Sequence, residues 1–248
     1  MREFVLKLFS EHNSDLQITL FSGWHFLYLF ITFAMALGFS LAFRNKSDRA
    51  KKRVVDTFAL LTVGLYVADF FIMPLSDSYS GISEYKLPFN ICTAMAVLVP
   101  FVQFNPKFRK IKTTVVFMSM AGSVMWMCYP GTALGGQPPF CYLIFQTFMY
   151  HAFLFCYGVF TISLGDVKPS IKQCWKELIG VLLMFVWACF GNGIYEGNNW
   201  FFIEESIFPF LSDEIMPLMV IICVFGTIIA LYGFYYLFKV LFRQRVKV

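Results

Sequence analysis

The sequence predicts an all-α polytopic membrane protein with seven transmembrane helices, its N-terminus outside and its C-terminus inside. Three observations carry this. The 248-residue chain is 58% hydrophobic, 20% aromatic and 14% charged, whereas soluble domains carry charge on about a quarter of their residues. Seven apolar stretches lie at 23–43, 54–76, 87–105, 111–130, 140–165, 174–195 and 215–242. Most reach the ~20 residues that cross a hydrocarbon core about 30 Å thick. Of the 20 lysines and arginines, all but Arg2, Lys7 and Lys86 fall in alternate connections or in the C-terminal tail. Basic loops stay cytoplasmic, so these connections share the inner face.

Taken in order, residues 1–22 are expected to be an outer tail or a short interfacial helix, with Phe4, Val5, Leu8 and Phe9 on one face. They are too polar for a signal peptide. The loop after the first span, 44–53, holds Arg44, Lys46, Arg49, Lys51, Lys52 and Arg53. Such cations anchor a chain against anionic lipid. The outer loop 131–139, Gly-Thr-Ala-Leu-Gly-Gly-Gln-Pro-Pro, is dense in breakers and predicts irregular backbone. The last outer link mixes Glu196, Glu204, Glu205, Asp213 and Glu214 with Trp200, Phe201, Phe202, Phe208 and Phe210, a composition that suits the headgroup level. A basic tail, 243–248, follows the last span. The chain is thus one domain, 23–242, with no room for a second.

Composition also restricts function. The formal charge of +5 is accounted for by cytoplasmic anchors, so nucleic acid is not an expected partner; membrane lipids are, in the cell (plasma) membrane. The seven cysteines are scattered singly, with no CxxC and no Cys/His pair at zinc-ligand spacing. Neither a disulfide framework nor a metal or other cofactor is expected, although Cys128 and Cys141 could face the same outer loop.

Chemistry is sought where polar side chains enter hydrocarbon, because their presence there is costly. Asp69, Asn90, Cys92, Gln146, His151 and Asn192 are the entrants, with Glu196 at a mouth. From the ~1.5 Å rise per helical residue, Asp69 lies about 10 Å, Asn90 and Cys92 about 5–8 Å, Gln146 about 9 Å and His151 about 16 Å below the outer surface. All fall in the outer half, and the inner halves hold almost none. The pattern predicts a polar chamber opening outward. His151, ordinarily titrating near 6.5, is the side chain best suited to proton transfer at about neutral pH. Its bland alternative is a neutral imidazole bonded to a neighbouring helix. Asp69 could orient His151, pair with it, or join helices. Cys92 alone would be a packing cysteine. Asn90, Gln146 and Asn192 divide between helix-linking and site-lining readings. Glu177 is expected to pair with a lysine at the inner end, and His12 and His25 to lie in the tail and at the interface.

Several of these residues sit in a series: Leu87-Pro88-Phe89-Asn90-Ile91-Cys92, then Gly122-Ser123 and Pro130, then Gln146-Thr-Phe-Met-Tyr-His151, Gly165-Asp-Val-Lys-Pro169 and Gly197-Asn-Asn-Trp-Phe-Phe202. Over about residues 50–205 the series resembles the YwaF-type integral membrane proteins, whose pattern runs Leu-Pro-x-x-x-Cys, Gln-x4-His and Gly-x-Asn-aromatic in this order. It departs from that pattern at Asn90, often histidine in the family, and at Gly131, often acidic. The resemblance implies a fold shared with a eukaryotic transmembrane acyltransferase that remodels ether phospholipids. It implies further that Cys92 is a nucleophile paired with His151. The thiol would carry an acyl chain as a thioester and pass it to a lysolipid hydroxyl or to water, without a cofactor. Asn90 or Gln146 would donate to the oxyanion and Asp69 would fix the imidazole tautomer.

Upright spans would hold Cys92 and His151 about 8–10 Å apart along the membrane normal. Two other classes therefore stand beside the phospholipid acyltransferase or acyl hydrolase. One is a proton-coupled carrier or substrate-binding subunit for a small solute, using Asp69 and His151, with Asn192 and Glu196 lining its mouth. The other is a non-catalytic structural membrane protein whose polar residues only join helices.

Overall fold

The structure, a computed structural model, describes residues 17–72, 84–130, 137–195, 197–206 and 211–243. Among them the regular elements are helices. They are α1 (Gly23–Phe43), α2 (Asp48–Ile72), α3 (Ile91–Phe104), α4 (Lys112–Cys128), α5 (Tyr142–Ser163), α6 (Trp175–Ile194) and α7 (Met216–Arg243), with short 3-10 turns between. Six helices are long and apolar enough to cross a membrane, two of them counted with the 3-10 turns that lead into α4 and α6. The seventh, α3, has 14 residues. Those rise only about 21 Å, short of a full crossing.

Helix starts follow local chemistry. Ser22 caps α1 by accepting the His25 N–H. Helix α2 starts six residues before the expected 54, because the cation-rich stretch is itself helical. Asp48 lies in its first turn, where a carboxylate complements the helix dipole, and Lys52 pairs with Asp56 one turn on at 2.6 Å. Of the N-terminal segment, 1–16 lie outside the described residues. The part that is described does not hang free: Ile18 is fully buried and its N–H donates to Gln137 O at 3.0 Å.

Helices α4 and α5 form the centre, with 61% and 67% of their apolar windows buried against 17% for α1. They pack on each other. Helices α1 and α2 flank α5, while α3, α6 and α7 surround α4, and α3 also touches α2. Ring contacts carry much of this packing: Phe117 of α4 stacks on Tyr232 of α7 with centroids 4.0 Å apart and planes at 8°, and Phe58 of α2 meets Phe160 of α5 edge-on at 4.7 Å.

The basic end is less apolar than expected. Lys112 and Glu177 are buried there. Gly165, at φ 85°, takes the left-handed conformation that glycine adopts without strain and turns the chain so that Asp166 pairs with Lys112. Glu177, expected to meet a lysine, instead accepts the Thr114 hydroxyl at 3.4 Å. Asp56 accepts from Gln103 at 2.6 Å, and Gln103 accepts from Tyr157 at 3.2 Å. In hydrocarbon these groups have no water to bond, so they bond each other.

One close approach fixes the outer end. A Cβ on Gly191 of α6 would lie 2.5 Å from the Phe89 ring, whereas one on Gly193 would meet nothing within 4 Å. Phe89 is itself held between Trp187 and Trp200, at 5.0 and 4.8 Å between ring centroids, and cannot step aside. Gly191→Ala is expected to lower stability in detergent by about 1–3 kcal/mol, the usual cost of overpacking. Gly193→Ala should leave the unfolding midpoint unchanged or slightly raised, and a midpoint scan of the pair checks both.

Candidate functional site

Cys92 stands in the first turn of α3, and the segment before it is pinned. Tyr66 donates to Lys86 O at 2.7 Å, Trp187 Nε1 to Pro88 O at 2.8 Å, and Thr93 Oγ1 to Leu87 O and Asn90 O at 3.0 and 3.1 Å. Irregular backbone survives at membrane depth only when protein satisfies its carbonyls in this way. Asn90 occupies the N-cap position but makes no side-chain cap; its Oδ1 accepts the Phe201 N–H at 3.3 Å instead. The N–H groups of Ile91, Cys92 and Thr93 are the orphan donors of that turn. They point to the positive end of the helix dipole, beside the thiol.

The thiol is seated against α4. A Cβ on Gly122 would lie 3.0 Å from Cys92 Sγ and 2.9 Å from Ile91 Cγ2, so the absence of a side chain at 122 makes the seat. One turn further along α4, the indole of Trp126 stacks on the His151 ring, with centroids 4.0 Å apart and planes at 6°. Positions i and i+4 share a helix face and lie roughly 6 Å apart. Cys92 thus packs at Gly122 and the His151 ring on the Trp126 indole, residues one turn apart on α4. From α5, Tyr150 donates its hydroxyl to Cys92 O at 2.5 Å, which ties the first turn of α3 to the residue beside His151.

His151 has a defined tautomer. Its Nδ1 lies 2.7 Å from Thr147 O, and a carbonyl only accepts, so Nδ1 carries the proton in the neutral ring. Nε2, which then bears the ring's lone pair, makes no hydrogen bond among the described residues. The contact to Nδ1 expected of Asp69 is made by the Thr147 carbonyl. Asp69 lies elsewhere. Its Oδ2 pairs with Lys86 Nζ at 2.6 Å and its Oδ1 accepts from Tyr142 at 2.9 Å. The pair reaches the site through Tyr66, whose ring is 6.3 Å from Tyr150.

The remaining candidates separate. Gln146 Nε2 donates to Leu65 O at 3.3 Å and Gln146 Oε1 accepts from Thr147, so it joins α5 to α2. Asn192 makes a reciprocal pair with the backbone of Trp200, at 3.0 and 3.2 Å. With Asn90 it pins the turn in which Phe201 and Phe202 take φ of 61° and 52°. Glu196 lies outside the described residues. Two surface furrows, of 490 and 360 Å³, sit on α1 and between α1 and α2 and are not lined by Asp69, Cys92 or His151; the expected shared chamber is not one of these. Cys128 and Cys141 are not joined in a disulfide, and the Cys141 thiol lies 3.9 Å from Gln137 Oε1. His25, expected at the interface, is fully buried. It accepts the Phe21 N–H on Nδ1 at 3.1 Å and donates from Nε2 to Met127 O at 2.7 Å.

Sequence reasoning passed over Trp126, Tyr150, Tyr142 and the role of Lys86. Two signals were present. Gly122 and Trp126 are four apart on one helix, and Lys86 stands directly before the Leu-Pro segment.

Helical architecture and buried polar contacts define a multi-pass membrane protein. A sequence model of the TMEM164 family matches residues 20–238, nearly the whole chain, and the chain belongs to that family of transmembrane proteins. No curated protein and no solved structure matches it.

The ion pair predicts an asymmetry. Lys86→Met strands a carboxylate that is 2% exposed, whereas Asp69→Asn leaves an ammonium whose side chain keeps 17% of its surface in contact with solvent or headgroups. Removing one member of a buried pair costs about 3–5 kcal/mol. Lys86→Met should approach that range, Asp69→Asn should fall clearly below it, and the double variant should recover part of the loss. Thermal unfolding of the three variants in one detergent measures the order.

Proposed function

We propose that this protein is a cysteine- and histidine-dependent phospholipid acyltransferase or acyl hydrolase. We further propose that it crosses the cell membrane seven times, N-terminus out, with α3 as the short crossing. The single observation that carries the chemistry is the packing of Cys92 Sγ at Gly122 and of the His151 ring on the Trp126 indole, two residues one turn apart on α4. The YwaF-type resemblance supports the same pair.

The reaction follows from the groups present. His151 Nε2 takes the thiol proton, and the interval of about one turn is closed by rotation about the Cys92 Cα–Cβ bond or through one water, since catalytic contacts tighten when substrate binds. The thiolate attacks an ester carbonyl of a membrane lipid. The resulting oxyanion is met by the uncapped N–H groups of the first turn of α3, which are oriented beforehand by the helix. Collapse breaks the carbon–oxygen ester bond. The imidazolium returns its proton to the departing lysolipid oxygen, and a thioester remains on Cys92. An acceptor hydroxyl, or water, then gives its proton to Nε2 and attacks the thioester. The sulfur leaves and is reprotonated by the ring.

Asn90 and Gln146 are engaged by Phe201 N–H and by Leu65 O. They act here as positioning residues, with the oxyanion left to backbone donors. Asp69, already held by Lys86 and Tyr142, is likewise a structural neighbour. That engagement weighs against the carrier reading, which needs Asp69 free to exchange protons.

Proteoliposomes supplied with a phospholipid carrying a labelled acyl chain test the chemistry. Wild type should form a hydroxylamine-sensitive acyl adduct and release lysolipid. Cys92→Ser should abolish both, and His151→Ala should slow turnover by about 10²–10⁴-fold, the range for losing a general base. An adduct that persists in Cys92→Ser would remove the reading.

Topology is tested separately in a background without native cysteines. A membrane-impermeant maleimide should label Asn199→Cys in intact cells and Lys46→Cys only after permeabilisation. The reverse order would overturn the orientation.

A further inference from the structure

A second lipid contact is written on the opposite end of the bundle. Among the described residues, every cation except Lys86 lies in the basic connections or near the end of α7. At that end a furrow of 490 Å³ runs along one face of α1 over Ala34, Gly38 and Ala42, walled by Phe39 and Phe43. A Cβ at Gly38 would meet nothing within 4 Å. The rings of Phe39 and Phe43 stack with centroids 5.9 Å apart and planes at 4°. The same two residues border a second furrow of 360 Å³ between α1 and α2 that ends at Arg53. The two depressions therefore adjoin at these rings, the first wholly apolar in its side chains and the second bordered by Arg53.

The charge at that end is uncompensated. Nearby carboxylates are taken, Asp48 by Lys51 and Asp56 by Lys52, and Arg53 has no ion pair among the described residues. Arg44 follows Phe43 directly as the C-cap of α1. A guanidinium with free donors at the membrane boundary takes a phosphate in bidentate fashion, while an apolar furrow facing hydrocarbon accepts an acyl chain. Small residues on a lipid-facing helix also suit a second helix. Here, though, two parallel copies of α1 would bring two sets of Arg44, Lys46, Arg49 and Arg53 together, and that repulsion argues against it.

We infer that the α1 furrow and Arg53 bind one anionic phospholipid from the leaflet on the basic side, acyl chain along Ala34-Gly38-Ala42 and phosphate on Arg53. This site is separate from Cys92 and His151 and stands whether or not they perform acyl transfer.

Native mass spectrometry tests it, on protein released from nanodiscs of mixed phosphatidylglycerol and phosphatidylcholine. Wild type should retain phosphatidylglycerol preferentially. Arg53→Gln, at an exposed position, should cut that preference about tenfold, the effect of losing one charge-assisted hydrogen bond. Gly38→Leu, which fills open space, should lower retention of both lipids while the unfolding midpoint holds. Equal retention of both lipids by wild type would overturn the inference, as would unchanged preference in Arg53→Gln. A dimer that Gly38→Leu converts to monomer, with lipid retention untouched, would assign the furrow to a second copy and equally overturn it. Should Gly38→Leu not fold, added salt replaces it: phosphatidylglycerol retention must then fall with ionic strength in wild type and stay flat in Arg53→Gln.

Discussion

The close approach of α3 to α4 at Gly122 is the constraint on which the rest of the outer end depends. With a hydrogen in place of a side chain, α4 lets Ile91 Cγ2 and Cys92 Sγ come within 2.9 and 3.0 Å of the place a Cβ would occupy. Protein interiors are packed as densely as organic crystals, and a contact this tight leaves its neighbours little choice of position. Once the first turn of α3 is seated there, Tyr150 reaches the Cys92 carbonyl from α5 and Trp187 reaches that of Pro88 from α6. The ring of Phe89 then fills the gap beside Gly191. Three helices are locked against α4 through five consecutive residues of backbone.

Polar side chains in the bundle divide by what they hold. Gln146, Asn192 and Asn90 spend their amides on backbone groups of other segments, which is how membrane helices and buried loops are joined where water is absent. Asp69 and Lys86 neutralise each other, with Tyr142 taking the second carboxylate oxygen. His151 differs from these. One nitrogen is committed to its own helix and its ring is clamped by Trp126, an arrangement that fixes orientation, while the other nitrogen makes no hydrogen bond among the described residues.

The sequence made the scaffold readable and the site only partly so. Spans at 23–43, 111–130, 140–165 and 174–195 lie within two residues of the corresponding helix ends, because apolar runs bounded by polar loops report hydrophobic thickness directly. The start of α2 was misplaced because charge was read as loop, whereas Lys52 and Asp56 pair along a helix. For Cys92 and His151 the sequence gives a separation along the membrane normal alone. The contact that relates them runs sideways through α4, and nothing in a linear sequence gives a lateral distance. Glu177 and His25 were misread for a similar reason. Burial at a helix end depends on which neighbour covers it, here Thr114 for one and Met127 with the Phe148 ring for the other.

The shortness of α3 has a consequence for the lipid around it. If its far end reaches one edge of a hydrocarbon layer about 30 Å thick, its near end stops roughly 9 Å inside the other. Flanking lipids respond to a short segment by thinning toward it. In the seven-crossing arrangement proposed above, such thinning would lower the glycerol linkages of the surrounding leaflet toward the level of the Leu87–Cys92 corner, without any molecule having to be lifted out of the bilayer.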